Sequence, residues 1–333
     1  MANYETIRLE KGMYAGDFTT MLEKMDASEN YRETALEGLD AFERQLKRFD
    51  IHVSGAQSDR IEKFFQSSDS AVLFPEYIAR AVKQGMKDAN MLDSVVATTT
   101  QVDAPDYRPL AVDPASIIDE QQVFPIIGEG EQIPAYTLKN GDSLVALQKR
   151  GRIINTTYES LRFHRLDLFT VFLKQIGAQL AREQFNDAVE MLLDDAEEIE
   201  QATNNINYTD LLELWTALQP FNLNTLIVNP AHMTKVMNLA QFRDSAGGCD
   251  FHATGKLIHP LGATLLPACA MPDNQVLGLD KNSALEMITA GDVLLESSKL
   301  IDRQLDCAAI TCLAGFSRIF PEARKLVKPF VSE

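Results

Sequence analysis

No run of apolar residues in this chain approaches the ~20 needed to cross a bilayer. The opening stretch, MANYETIRLEKGMYAGDFTT, also lacks the apolar core of a secretory signal. Both absences lead us to expect a protein made and kept in the cytosol, with no membrane partner. Basic charge is scarce as well: 31 Lys and Arg stand against 48 Asp and Glu, a net charge of −17. Gripping phosphate needs clustered Lys and Arg, so a nucleic-acid-binding surface is excluded. An acidic shell of this kind most simply serves solubility. Only four cysteines occur (Cys249, Cys269, Cys307 and Cys312), without disulfide-scaffold spacing, which suits a reducing compartment. The N-x-T sequons at Asn155 and Asn207 then read as chance matches.

Catalytic signatures are missing too. GEGEQ does not complete G-x-G-x-x-G, and neither G-x-x-x-x-G-K-[ST], H-E-x-x-H nor G-x-S-x-G occurs. Cys249-x-x-His252, followed by His259 and Cys269, offers zinc-type ligands at a spacing that matches no standard finger, and reads as structural. His164 and His232 read as ordinary helix residues. Glu129 and Glu131 sit in a polar stretch without the desolvation that tunes a carboxylate for acid–base work, so they read as solvated charge. No catalytic residue, cofactor or metal is expected.

What is present is a chain of 333 residues with ordinary apolar (45%) and charged (24%) content, enough for one large domain or two. Residues 29–49 read as a helix, with Leu36, Leu39, Phe42, Leu46 and Phe49 on one face and Glu37, Asp40, Glu43, Arg44 and Lys47 on the other. LFPEYIARAVKQGM (73–86) reads as a second helix, Pro75 in its first turn and Gly85 ending it. SVVATTT (94–100) has strand composition. A polar excursion of some 30 residues then begins near Ile117, long for a compact domain and typical of a functional arm. Near its far end Lys139-Asn140-Gly141-Asp142 carries an Asn-Gly hairpin signal between the strand-like flanks IPAYTL and SLVALQ. Lys139 at such a tip is either a solvated turn lysine or a partner for a neighbouring subunit's carboxylate, a pair contributing about 0–1 kcal/mol.

The return strand (144–157) leads to the longest helix, capped at Asp167 and running to about Asp195, a rod of about 43 Å. Phe169, Phe172, Ile176 and Leu180 mark one of its faces. Its end is acidic: Asp187, Glu190, Asp194, Asp195, Glu197, Glu198 and Glu200. Carboxylates there oppose the helix dipole, so solvent or a partner must compensate. Beyond QATNNIN the pattern turns to compact α/β. Thr209 caps DLLELWTAL, TLIV makes a strand, and Asn229-Pro230 starts a helix to about Ala240. Short strands follow at Ala263–Leu266 and Gln275–Leu279, and DCAAITCLAGFSRIF (306–320) reads as a buried strand.

This order of elements over residues 73 to 330 resembles the major capsid proteins of tailed bacteriophages, those with the Hong Kong 97-type fold. The resemblance rests on LFPEYIARAVKQGM after an extended arm, the excursion with KNGD, LQKRGRIINTTYES and the long helix, TLIVNPAHMTKVMNLAQFRD, and the closing DCAAITCLAGFSRIFPEARKLVK. It implies an α+β fold laid out as an N-terminal arm (1–92), an E-loop with its flanking strands (93–158), the spine helix of a P-domain (159–204), an A-domain (205–290) and closing strands (291–333). It further implies a non-enzymatic virion protein that self-assembles in the host cytoplasm. Hexamers and pentamers would form an icosahedral shell around double-stranded DNA held without sequence-specific binding. Scaffolding, portal or decoration proteins are the implied partners, and Lys139, Asn140, Gly141 and Asp142 the implied subunit contacts at the E-loop tip. An acidic shell lining would keep DNA from sticking during packaging. Two other functions fit less of the chain: an encapsulin-like compartment of the same fold, and an α/β enzyme in 205–320 with a site no motif marks. Some family members join an E-loop lysine to a neighbour's asparagine with help from a glutamate. Only Lys139 matches that set by position, so no crosslinking chemistry carries over. Denaturing gels of assembled particles are therefore expected to show monomer alone; a ladder of covalent oligomers would overturn this.

Overall fold

The computed structural model describes residues 18–112, 126–133, 137–141, 143–201, 206–239, 262–291 and 293–329. The chain forms two compact units, each taken here by itself. One comprises Met1–Asn90, Arg150–Ala181 and Val293–Cys312, the other Met91–Lys149, Arg182–Asp292 and Leu313–Glu333.

The first unit opens with α1 (Phe18–Met25), α2 (Ala41–Arg48), α3 (Ser68–Ala71) and α4 (Leu73–Asp88). The expected helix over 29–49 is realised only as α2. Gly38 adopts φ +81, and Asp40 then starts α2 with a reciprocal capping box, its carboxylate accepting from the Glu43 N–H. Arg44, assigned to a charged outer face, is instead fully buried. It donates to Asp26, to the Ser28 hydroxyl and to the Leu39 carbonyl, and lies over the Tyr31 ring. A guanidinium has five donors, and this one finds enough acceptors to be taken out of water. Asp26 accepts from Arg44, Arg48 and the Tyr31 hydroxyl. Burial opposes ionisation of Asp26, but these partners outweigh it and hold the carboxyl below its usual range.

α4 runs on through Gly85, where a stop was expected, to Asp88. Gly85 is there for closeness: a Cβ would run into the Lys174 backbone carbonyl, and one at Gly177 into the carbonyl of Val82. Two glycines thus bring α4 against α6 (Leu166–Leu193) at backbone contact. Beside them Phe64, Phe74, Tyr77 and Phe169 form an aromatic cluster. Burial first, and nearby Asp167 second, push the Tyr77 phenol up to about 12, so it stays protonated and donates to the Leu166 carbonyl. α6 does not begin on Asp167 as its cap. It starts one residue earlier, after α5 (Tyr158–Phe163), and its first N–H groups are satisfied by the Asp59 carbonyl and the Ser58 hydroxyl. β12 (Leu294–Leu300) pairs antiparallel with the first half of β13 (Leu305–Arg318), which also pairs with β6 (Gln148–Thr157).

In the second unit β1 (Thr98–Gln101) runs parallel to β11 (Leu285–Thr289), which pairs antiparallel with the end of β13. A second sheet has the order β7 (Glu197–Glu200), β14 (Arg324–Lys328), β10 (Val276–Leu279), β8 (Thr225–Val228), β9 (Thr264–Pro267). The strands expected near 225, 263 and 275 are thus its centre and one side, while β7 and β14 come from outside the 205–290 window. Against it pack α7 (Tyr208–Ala217) and α8 (Pro230–Met237). Asn229 caps α8 and Pro230 occupies its first position, as expected. α7 begins one residue before its expected cap Thr209; Asn207 and Asp210 form the box instead. The remaining strands β2 to β5 form the arm described below.

α6 ends in this unit on a buried arginine. Arg324, with no solvent exposure, donates to the carbonyls of Leu192, Asp194 and Asp195, and Arg318 adds a bond to Asp194. Arg324→Met keeps the aliphatic stem but strands three carbonyls, and should cost on the order of 3 kcal/mol in urea unfolding, against under about 1 kcal/mol for the half-exposed Arg318→Met. Equal small losses would show that the buried arginine is not the anchor. A second expectation concerns acid. Because the Asp26 carboxyl has a lowered folded-state pKa, its contribution is complete above its unfolded value, near about 4, and fades as pH falls through the folded one. Asp26→Asn should therefore be less stable at neutral pH, and the gap from wild type should narrow in acid; a gap that stays constant would remove the carboxylate from the account.

Candidate subunit interface

The arm is a two-stranded antiparallel ladder in the second unit. β2 (Asp106–Tyr107) pairs with β5 (Val145–Ala146), and β3 (Leu110–Val112) pairs with β4 (Leu138–Asn140). Tyr107 lies opposite Val145 and Leu110 opposite Asn140. The outgoing strand crosses that gap with Arg108 and Pro109, the returning strand with Gly141, Asp142, Ser143 and Leu144. Pro109 has no N–H to give the ladder, and the extra residues bulge out opposite it. The Gly141 N–H donates to the Pro109 carbonyl at 2.7 Å.

This corrects the expected hairpin. The flanks of Asn140-Gly141 pair with residues 106–112, not with each other. Lys139 and Asn140 are strand residues, Gly141 opens the bulge, and Asp142 lies outside the described residues. An Asn-Gly pair signals a turn only when its two flanks lack better partners. Here the outgoing strand supplied them.

At the root, the Glu286 carboxylate is buried and accepts from the hydroxyls of Thr100 and Tyr107. Burial, followed by the Glu286 charge, raises the Tyr107 phenol above its ordinary value, which keeps it a donor. A cleft of about 960 Å³ opens beside the arm, lined by Leu110, Leu144, Glu190, Met191, Phe320 and Glu322 among others. Along the ladder Leu110, Leu138 and Leu144 are each more than half exposed. A ladder of two strands with its leucines in water has no core of its own.

The first unit has a matching anomaly. Leu168, Val171 and Phe172, at i, i+3 and i+4 of α6, form an exposed apolar face, with Phe163 of α5 also exposed. Phe172 was expected on the buried face; Leu173 takes that place. The acidic end of α6 finds its compensation within the chain. Arg324 and Arg318 cap the helix, Arg318 pairs with Asp194 at 3.3 Å, and Lys325 and Lys328 of β14 pair with Glu197 and Glu198 of β7.

Among the described residues no three His, Cys, Asp or Glu side chains gather as a metal site. Cys249, His252 and His259 lie outside those residues, and Cys269 is exposed. The exposed His164 ring lies 3.0 Å from the Ser160 carbonyl. His232 is buried, its pKa lowered by burial and then by Lys235, so it is held neutral. Glu129 and Glu131 are exposed, as expected. No described helix is long and apolar enough to cross a membrane.

Residues 141–297 match the family described as phage capsid protein. Among solved structures, the chain is similar to the virus-like particle from Pyrococcus furiosus at 12% identity and TM-score 0.52, over 76% of this chain and 98% of that one. It is similar to the capsid of the cyanophage P-SCSP1u at 12% identity and TM-score 0.50, over 72% and 88%. The encapsulin of the holo-SrpI complex from Synechococcus elongatus PCC 7942 matches at 10% identity and TM-score 0.51, over 72% and 89%. No curated protein sequence matches. At such identities the structures speak for the fold, and the family match speaks for the capsid kind. The expected resemblance to tailed-bacteriophage major capsid proteins thus holds: the fold is of the Hong Kong 97 type, and the chain is a shell-forming structural protein.

Proposed function

We propose that this chain is the major head protein of a tailed bacteriophage, assembling as hexamers and pentamers into an icosahedral shell that encloses double-stranded DNA. The arm carries this reading. Its ladder leaves Leu110, Leu138 and Leu144 in water, and such strands gain a core only by lying on another subunit. In this reading residues 93–158 are the E-loop, 1–92 an N-terminal arm, 159–204 the spine of the P-domain, 205–290 the A-domain and 291–333 the closing strands. Lys139, Asn140, Gly141 and Asp142 meet the neighbour along the shaft of the E-loop instead of at its tip. Assembly takes place in the host cytoplasm with scaffolding, portal or decoration proteins, and the finished chain resides in the virion. DNA is enclosed, not read, consistent with the charge of −17.

Size-exclusion chromatography followed by negative-stain microscopy of the purified chain should show capsomers or closed shells. A persistent monomer with enzymatic activity would overturn the proposal. Shells filled with a cargo enzyme and no DNA would replace it by the encapsulin-like reading.

A further inference from the structure

The loop beyond the β3–β4 ladder contains a second turn, which the sequence reading passed over as solvated charge. The Gly128 N–H donates to the Glu131 carboxylate at 2.9 Å, and the Glu131 N–H donates to the Gly128 carbonyl at 3.1 Å. Gly130 sits at φ +81, a conformation open to glycine and strained for other residues. The turn is therefore closed by its own bonds and needs no partner to form. It lies close to the midpoint of the segment joining Val112 to Leu138, the place a hairpin-like arm reverses. On its two sides Ile126 is fully exposed and Ile133 is 71% exposed. Between them Glu129 and Glu131 give the tip two carboxylates.

The same chain carries the complement. Phe163, Val171 and Phe172 are 61–63% exposed and, with Leu168, form one apolar face. Arg162 stands beside Phe163 and Lys174 stands one turn on from Val171. Each is paired within its own chain only at 3.6 Å, Arg162 to Glu62 and Lys174 to Asp88, across exposed side chains. Such pairs contribute about 0–1 kcal/mol, so they exchange readily for other carboxylates.

We propose that the turn Gly128–Glu131 is the working end of the arm, and that it seats Ile126 and Ile133 on the Phe163–Leu168–Val171–Phe172 face of a second copy, its carboxylates meeting Arg162 and Lys174. This rests on the reading that the chain assembles with itself. A preformed turn loses little freedom on docking, which favours it as an anchor. Donor and acceptor are different surfaces of one chain, so the contact is head-to-tail and closes into rings.

The test uses the full chain and measures the concentration at which assemblies form. Ile126→Asp with Ile133→Asp, and separately Val171→Asp with Phe172→Asp, should each raise it roughly tenfold or more while the monomer's melting temperature stays that of wild type. Glu129→Arg and Arg162→Glu should each weaken assembly, and the two together should recover most of the loss, a coupling no merely structural role produces. Wild-type assembly by the tip variants would overturn the contact and leave the assembly reading intact. Loss with the helix-face variants alone would assign that face to another occupant and also overturn it. So would charge variants that fail to rescue one another. A wild-type chain that never associates would remove both the contact and the reading beneath it.

Discussion

A helix of 28 residues must find partners at both ends, and α6 finds them far away in sequence. Its first N–H groups are met by Ser58 and Asp59, its last carbonyls by Arg318 and Arg324. Neither end is finished by the residues next to it. Each terminus therefore ties a distant part of the chain to the rod, and the elements around it inherit their positions from those ties. The α4 crossing at Gly85 and Gly177 is possible because the rod is held at that point with its backbone bare. The β7–β14 pairing follows directly from Arg324, which sits at the first position of β14 while capping the helix that leads into β7.

This arrangement also explains an apparent conflict in charge. A run of carboxylates at the end of a helix is unfavourable when the helix is considered alone. With two arginines on the terminal carbonyls and two lysines opposite Glu197 and Glu198, the same run becomes one side of a paired set. The acidic residues and the basic tail are more than a hundred residues apart, so local pattern could not join them.

Much of the fold was legible because its signals are local. The long helix shows many turns of periodicity, and Asn229-Pro230 states a helix start in two residues. The misreadings fall where a local signal has two physical meanings. Gly85 serves helix termination and close packing equally well in sequence, and only the contact with Lys174 decides. Arg44 reads as surface because charge usually is, and its burial depends on acceptors at Asp26, Ser28 and Leu39 that no spacing announces. The 29–49 helix was overextended although Gly38 and the Asp40–Glu43 box mark its true start. At the interface, the existence of an arm was readable from its length and polarity. Its pairing was not, because Asn140-Gly141 cannot disclose that 106–112 competes for its flanks.

The five-stranded sheet ends in β7 on one side and β9 on the other. β7 presents Glu197, Glu198 and Glu200 along four residues, and β9 closes with Pro267, which has no N–H to offer. Both rims are thereby spoiled for a further strand, one by repulsion and one by a missing donor. For a chain expressed at high copy among identical chains, the consequence is selectivity against its own aggregation. Neighbours cannot polymerise by extending this sheet, so amyloid-like stacking is closed off where backbone edges would otherwise be most inviting.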